Sequence, residues 1–321
     1  MSSYRFVMAE GTFADPEIER EHLAGEGVEM RMAPLQSAED VVRETAEADA
    51  VIVTWNPLPK ELIDRFGPKV RIIGRAGIGL DAIDLEAARE RGVAVFHCPD
   101  YSTEEVATHA LAMILALNRK LVAADAAARR DWMAWHHLKP VRPLSEQTAG
   151  VVGLGRIGQA VAARLRPLFG TILGFDPFVE APPEGVRLVS SLDELLAAGD
   201  VVTLHAALTD ETRGLLGRRE LSRLKRGAIL VNVSRGGLIE PDALVEALHE
   251  GRIGAAGIDV LASEPPGQGD PIMGAPNVLL SPHFAWYSDA SERRARTLTV
   301  DGLLDYLEGR PMRGGRLVLA P

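Results

Sequence analysis

The stretch "GVVGLGRIGQAV" (Gly150–Val161) sets glycines at 153, 155 and 158, where an apolar run gives way to a stretch of helical period. A lone G-x-G-x-x-G is a weak signal, and its setting strengthens it. "TAGVVG" before it reads as a strand and "RIGQAVAARLRPLF" after it as a helix. "TILGFD" reads as the next strand and ends in Asp176, 18 residues past the last glycine. Each position has its own physical requirement. Gly153 permits the tight turn, Gly155 lets a pyrophosphate approach the backbone, and Gly158 packs the helix on the strand. The amides of Arg156 and Ile157 open the helix and favour an anion. Asp176 is suited to accept both ribose hydroxyls, and its charge repels a 2′-phosphate. The pattern therefore predicts a dinucleotide site for NAD(H) in preference to NADP(H).

Outward from this loop, Val- and Ile-rich runs alternate with helical stretches. On the N-terminal side the predicted strands are "RFVMA" (5–9), "GVEMRM" (27–32), "AVIVT" (50–54), "VRIIG" (70–74) and "VAVFH" (93–97). On the other side they are "TAGVVG", "TILGFD", "VRLVS", "VVTLHA", "AILVNVS", "AAGIDV" and "NVLLSP". Short apolar strands separated by helices read as parallel sheets buried on both faces. The expected architecture is α/β, with two Rossmann-like domains built on doubly wound parallel sheets. Residues 1–100 with 290–321 are expected to form a flavodoxin-like substrate domain. Residues 101–289 form the NAD-binding domain. The tail after 288 has helical period and is expected to return to the first sheet. Between the two series, "TEEVATHALAMILALNRKLVAADAAARRDW" reads as one long helix or two.

Composition narrows the function classes. The 321 residues carry a net charge of −10, which disfavours nucleic acid and anionic membranes as partners. It leaves room for a small anion held by a few local arginines. The single cysteine, Cys98, precludes an intrachain disulfide and fits a reducing compartment; it reads as a small buried hydrophobe. With no basic segment leading into a long apolar run at the N-terminus, the expected location is cytoplasmic. The apolar run "ALAMILAL" (110–117) is too short to span a bilayer. His136 and His137 have no Cys or acid at ligand spacing, so no metal site is expected.

Three further pieces fall at strand ends of the second series. "LVNVSRGGLIE" places Arg235 just after a strand. "GIDVLASEPP" gives Asp259 at a strand end and Glu264 in a loop stiffened by Pro265 and Pro266. "LLSPHFAW" gives His283 after another strand. Ligands of doubly wound sheets lie beyond the carboxyl ends of the strands. A histidine is suited to proton transfer near neutral pH. A carboxylate on its other ring nitrogen orients it and favours its charged form. A guanidinium binds a carboxylate and polarises a carbonyl. Reduction of a 2-keto acid needs all three, together with a hydride.

These blocks, with "GVVGLGRIGQAV", "LKRGAILVNVSRGGLIE" and "ALHEGRIGAAGIDVLASEPP", resemble the D-isomer-specific 2-hydroxy-acid dehydrogenase family over about residues 45–310 and in order. The resemblance implies a catalytic set of Arg235, Glu264 and His283, with Asp259 at the nicotinamide amide. It implies cofactor contacts from Val106, His205, Ala207, Thr209, Val233 and Ser234. "RIIGRAGIGLDAID" is similar to the family's substrate loop, so Gly77, Ile78 and Gly79 are expected to hold the substrate carboxylate through backbone amides. Ala82 departs from the family's usual Asn and Thr108 from its frequent Glu, while His97 stands where an Asn is common. The helical segment 103–135 resembles the family's dimer arm, which implies a homodimer; Trp132 and Trp135 are expected to pack either that helix or a subunit interface.

"PHFAWYS" is similar to "PHAAWYS" of the C-terminal-binding-protein branch. There the position of Trp286 lines the substrate pocket and that of Arg75 helps hold the carboxylate. Phe284 and Tyr287 read as packing. Glu264 argues against the formate dehydrogenases, which carry Gln there. Phosphoglycerate dehydrogenases share "GRAGIG" and "ASEPP". The expected activity is NAD-dependent interconversion of a D-2-hydroxy acid and its 2-keto acid. The alternative is an NAD(H)-sensing, corepressor-like interaction protein with vestigial dehydrogenase activity.

Overall fold

A computed structural model describes residues 4–11 and 13–319, which divide into two compact units: residues 4–11 and 13–102 with 288–319, and residues 103–287. The first opens as a strict alternation: β1 (Tyr4–Ala9), α1 (Glu17–His22), β2 (Val28–Ala33), α2 (Ala38–Thr45), β3 (Ala50–Val53), α3 (Lys60–Ile63), β4 (Ile72–Arg75), α4 (Leu85–Arg91) and β5 (Ala94–His97). These strands pair in parallel. β3 and β4 are buried at every position, as strands covered on both faces must be. Short polar residues start two of these helices. Ser37 caps α2 through the Asp40 amide and Asp84 caps α4 through the Ala87 amide.

The second unit begins with two helices, α5 (Thr103–Asn118) and α6 (Leu121–Ala128), bent from one another by 52°. Lys120 causes the break, because its left-handed backbone (φ 53°) cannot continue a helix. A 3-10 turn over Trp132–Leu138 follows. Then come β6 (Thr148–Val152), α7 (Arg156–Leu165), β7 (Thr171–Phe175), β8 (Arg187–Leu188), α8 (Leu192–Ala198), β9 (Val201–Leu204), α9 (Arg218–Arg223), β10 (Ala228–Asn232), α10 (Pro241–His249), β11 (Ile253–Ile258) and β12 (Val278–Leu280). The sheet order is β12-β11-β10-β9-β6-β7-β8 and every pairing is parallel. Val161, Ala162 and Leu165 of α7 pack with Val106, Ala110 and Ile114 of α5 in one core. Leu195, Leu221 and Leu244 of α8, α9 and α10 pack in a second. Two cores on one parallel sheet are the doubly wound arrangement.

The chain then returns to the first unit through α11 (Asp289–Glu308) and β13 (Arg316–Leu319). α11 packs on β4 and α1. A Cβ on Gly74 would stand 2.8 Å from Thr299 Cγ2, so the bare strand admits the helix. Arg296 fastens α11 to α1 with two bonds to the buried Glu19 carboxylate, at 2.7 and 2.6 Å. The helical tail is as the sequence predicts. The edge strand is not: β13 pairs antiparallel with β5, which makes the first sheet mixed. Among the described residues no single helix is long and apolar enough to cross a membrane.

Candidate active site

The glycine loop joins β6 to α7. Gly153 takes φ +87°, and a Cβ on Gly158 would stand 1.9 Å from the Gly153 carbonyl oxygen, a distance no side chain tolerates. At Gly155, which caps α7, such an atom would meet nothing within 4 Å. The helix start, with Arg156 exposed and Ile157 half-buried, therefore has open space before its amides. Asp176 follows β7. Its Oδ2 accepts the Leu154 amide at 2.8 Å and its Oδ1 the Phe178 amide at 2.9 Å. The carboxylate is thus fixed to the loop, with acceptor capacity remaining on each oxygen.

His205, after β9, lies against the same loop. Its amide donates to Val152 at 2.7 Å, its Nε2 lies 2.9 Å from Thr203 Oγ1, and its Nδ1 is buried with no hydrogen-bond partner. Burial pushes the ring down to about 3, so it is neutral. Thr212, unmarked in the sequence, knits the next turn: its hydroxyl donates to the Ala207 carbonyl at 2.6 Å and accepts the Thr209 amide at 2.8 Å. Ser234 Oγ donates to the Ala206 carbonyl at 2.6 Å. Val233 and Val106 are buried in the core beneath. A glycine cradle, a fixed carboxylate beside it and a neutral imidazole fit a dinucleotide such as NAD.

The acid–base pair stands at the carboxyl ends of β11 and β12. Ser281 and Pro282 lead from β12 into His283, whose backbone is left-handed (φ 52°), an uncommon state for a side-chain-bearing residue. The His283 amide donates to the Asp259 carbonyl at 2.8 Å. The buried Asp259 carboxylate accepts the Phe284 and Ala285 amides at 2.8 and 3.1 Å and the Ser281 hydroxyl. Asp259, expected at the nicotinamide amide, therefore organises the turn that carries His283. Glu264 anchors one oxygen on the Leu261 amide at 2.7 Å and accepts His283 Nδ1 on the other at 2.6 Å. Partial burial works to raise the Glu264 carboxyl. The bond and charge of His283, the Leu261 amide and the charge of Arg235 outweigh it and hold it below the usual range. Arg235 is braced by its own loop, with Nη1 donating to the Ser234 carbonyl at 2.8 Å.

In the first unit, Arg75 closes β4. Its guanidinium donates to the Ala76 and Gly79 carbonyls at 2.7 and 3.1 Å and lies 5.8 Å from the Trp55 ring. A Cβ on Gly77 would overlap it at 1.8 Å, so only glycine lets the arginine brace this loop. His97 Nδ1 donates to the Ile78 carbonyl at 2.8 Å, which gives that departure from the family pattern a scaffolding role. The Gly77 amide donates to the Arg75 carbonyl at 2.8 Å.

The aromatic residues after His283 differ in exposure. Trp286 is half-buried against the core of the second unit. Phe284 and Tyr287, read as packing, are instead 48% and 37% exposed and stack on one another at 5.1 Å. Trp132 and Trp135 are 81% and 48% exposed, on a 3-10 turn that packs beside α6. Besides Thr212, two polar residues at the acid–base pair escaped the sequence reading: Ser281, already named, and His109 of α5, whose Nε2 lies 2.9 Å from Ser281 Oγ. The serine sits inside a quoted stretch; nothing local marks the histidine.

The chain is similar to known proteins along most of its length. Residues 111–285 match the NAD-binding domain of the D-isomer specific 2-hydroxyacid dehydrogenases. D-3-phosphoglycerate dehydrogenase of Archaeoglobus fulgidus is 35% identical over 297 residues, 91% of this chain and 56% of that protein. The chain thus spans about half the length of such relatives. Hydroxypyruvate reductase of Blautia hydrogenotrophica is 32% identical over 90% of this chain and 91% of its own. The crystal structure of D-lactate dehydrogenase from Aquifex aeolicus, complexed with NAD and lactic acid, superposes with a TM-score of 0.87. It is 28% identical and the match covers 95% of this chain and 96% of that one.

Proposed function

The chain belongs to the D-isomer-specific 2-hydroxyacid dehydrogenase family, and from that premise we propose that it interconverts a D-2-hydroxy acid and its 2-keto acid. The observation that carries the reading is the 2.6 Å bond between His283 Nδ1 and Glu264. When bound, NAD(H) supplies or accepts the hydride at the substrate's C2. In the reducing direction His283 gives the Nε2 proton to the carbonyl oxygen as negative charge develops there. Glu264 accepts the Nδ1 hydrogen and fixes the ring in one orientation. Arg235 binds the substrate carboxylate and polarises the carbonyl. The Ile78 and Gly79 amides contribute to holding that carboxylate, on a loop that Arg75 and Gly77 brace. Trp286 is assigned to the wall of the substrate pocket.

Asp176 selects NAD(H) over NADP(H), since its charge would repel a 2′-phosphate. The glycine loop, His205, Ala207, Thr209, Val233 and Ser234 make up the rest of the cofactor site. Residues 1–100 with 290–321 are assigned to substrate and 101–289 to cofactor. The protein works as a homodimer: Leu121, Val122, Trp132, Met133 and Trp135 expose apolar surface along one short segment, as a subunit interface requires. A panel of straight-chain, branched and hydroxylated 2-keto acids, followed by NADH oxidation, tests the reading. Turnover giving the D-hydroxy acid supports it; the L-isomer or no turnover overturns it.

A further inference from the structure

We propose that His109 is a positioning residue for His283, acting through Ser281 and Asp259; this rests on the reaction assigned above. The left-handed backbone at His283 needs outside support. Its neighbours supply that support by binding Asp259: the amides of Phe284 and Ala285 and the hydroxyl of Ser281 all donate to one buried carboxylate. No arginine or lysine pairs with that carboxylate among the described residues, and the one base within 4 Å is His109, with Nε2 at 3.7 Å. The Ser281 hydroxyl has one hydrogen and spends it on Asp259, so at Oγ it must accept the Nε2 hydrogen of His109 at 2.9 Å. The polarity is thereby fixed from His109 to Ser281 to Asp259. The imidazole also presses edge-on against the Phe284 ring, with centroids 6.5 Å apart at 72°. His109 therefore grips the turn at residue 281 and at residue 284, on both sides of His283. It stands on α5, one of the helices buried against the parallel sheet, and so ties the turn to a rigid element.

A histidine that only filled space would be replaceable by any residue of its size, whereas a positioning donor is replaceable by another donor at the same point. His109→Leu and His109→Gln separate the two, because the glutamine amide reproduces an Nε2 donor. Two readouts are taken: steady-state kinetics, and hydrogen exchange of the Phe284 and Ala285 amides. We expect His109→Leu to lower kcat by about tenfold to a hundredfold with KM values within about twofold, and His109→Gln to restore kcat to within about threefold. Exchange at the two amides should accelerate in the leucine variant and not in the glutamine variant. An unchanged kcat in His109→Leu, equal losses in both variants, or unaltered exchange would each overturn the proposal. Should the leucine variant fail to melt cooperatively, Ser281→Ala replaces it under the same two readouts and the same outcomes. If the unaltered protein turns over no keto acid, the reaction assigned above fails, and amide exchange alone decides whether His109 holds the turn.

Discussion

Nδ1 of His283 and Oε2 of Glu264 lie 2.6 Å apart, on loops that follow different strands of one parallel sheet. The Glu264 carboxyl is held below its ordinary value of 4.5. A depressed carboxylate contributes stability that is full above the ordinary value and is lost as pH falls through the lower folded value. The pair should therefore remain intact across the neutral range and fail only below 4.5. Glu264→Gln keeps an acceptor for Nδ1 and removes the charge. It should lower kcat for keto-acid reduction by about 10–10² and remove the acid limb assigned to Glu264. Rate profiles from pH 4 to 9 on both proteins check this, and superimposable profiles contradict it.

Asp176 is tied to the glycine loop through the Leu154 amide at 2.8 Å. Asp176→Asn preserves that acceptor and discards the charge. A charged hydrogen bond contributes about 1.5–3 kcal/mol, so the preference for NADH over NADPH should narrow by about tenfold or more. The ratio of kcat/KM for the two cofactors measures it; an unaltered ratio places the selectivity elsewhere.

Burial lowers His205 from 6.5 to about 3. The unfolded chain then binds more protons than the folded one between these values. Stability from the neutral ring is full above 6.5 and is progressively lost as pH falls toward 3. The loss from this one group is at most about 1.4 kcal/mol per pH unit. His205→Gln removes the titration, so urea unfolding at pH 7 and pH 5 should show a smaller loss in the variant than in the original protein. Equal losses would contradict the buried neutral imidazole.

Trp132 is 81% exposed and Trp135 48% exposed on the segment proposed as a subunit interface. Trp132→Glu with Trp135→Glu should shift the protein from dimer to monomer in sedimentation velocity, without unfolding it. A mass unchanged from that of the original protein would place the interface elsewhere.

Much of this was legible in the chain because it rests on backbone requirements. The glycines at 153 and 158 mark a turn and a close approach that admit no other residue, and their strand–loop–helix setting is written in local periodicity. The strands of both sheets follow from apolar runs for the same reason. β13 was not legible: "RLVL" is short and pairs only because α11 carries it back to β5. The bend between α5 and α6 hides in Lys120, whose side chain gives no warning of a left-handed backbone. The scaffold bonds of Arg75 and Asp259 were not legible because their partners, the Gly79 carbonyl and the Phe284 and Ala285 amides, are backbone groups that carry no mark in a sequence. His109 lies 172 residues from Ser281, a separation no local pattern spans.

The central claim is that His283 gives the proton that accompanies hydride transfer to a 2-keto acid. Its most direct test is single-turnover NADH oxidation by a keto acid in the original protein and in His283→Ala, with NADH affinity measured in parallel by fluorescence. The account predicts a loss of about 10²–10⁴ in the chemical rate with NADH affinity within about twofold. Equal rates in the two proteins, or an original protein that binds NADH tightly and reduces no keto acid, would contradict it.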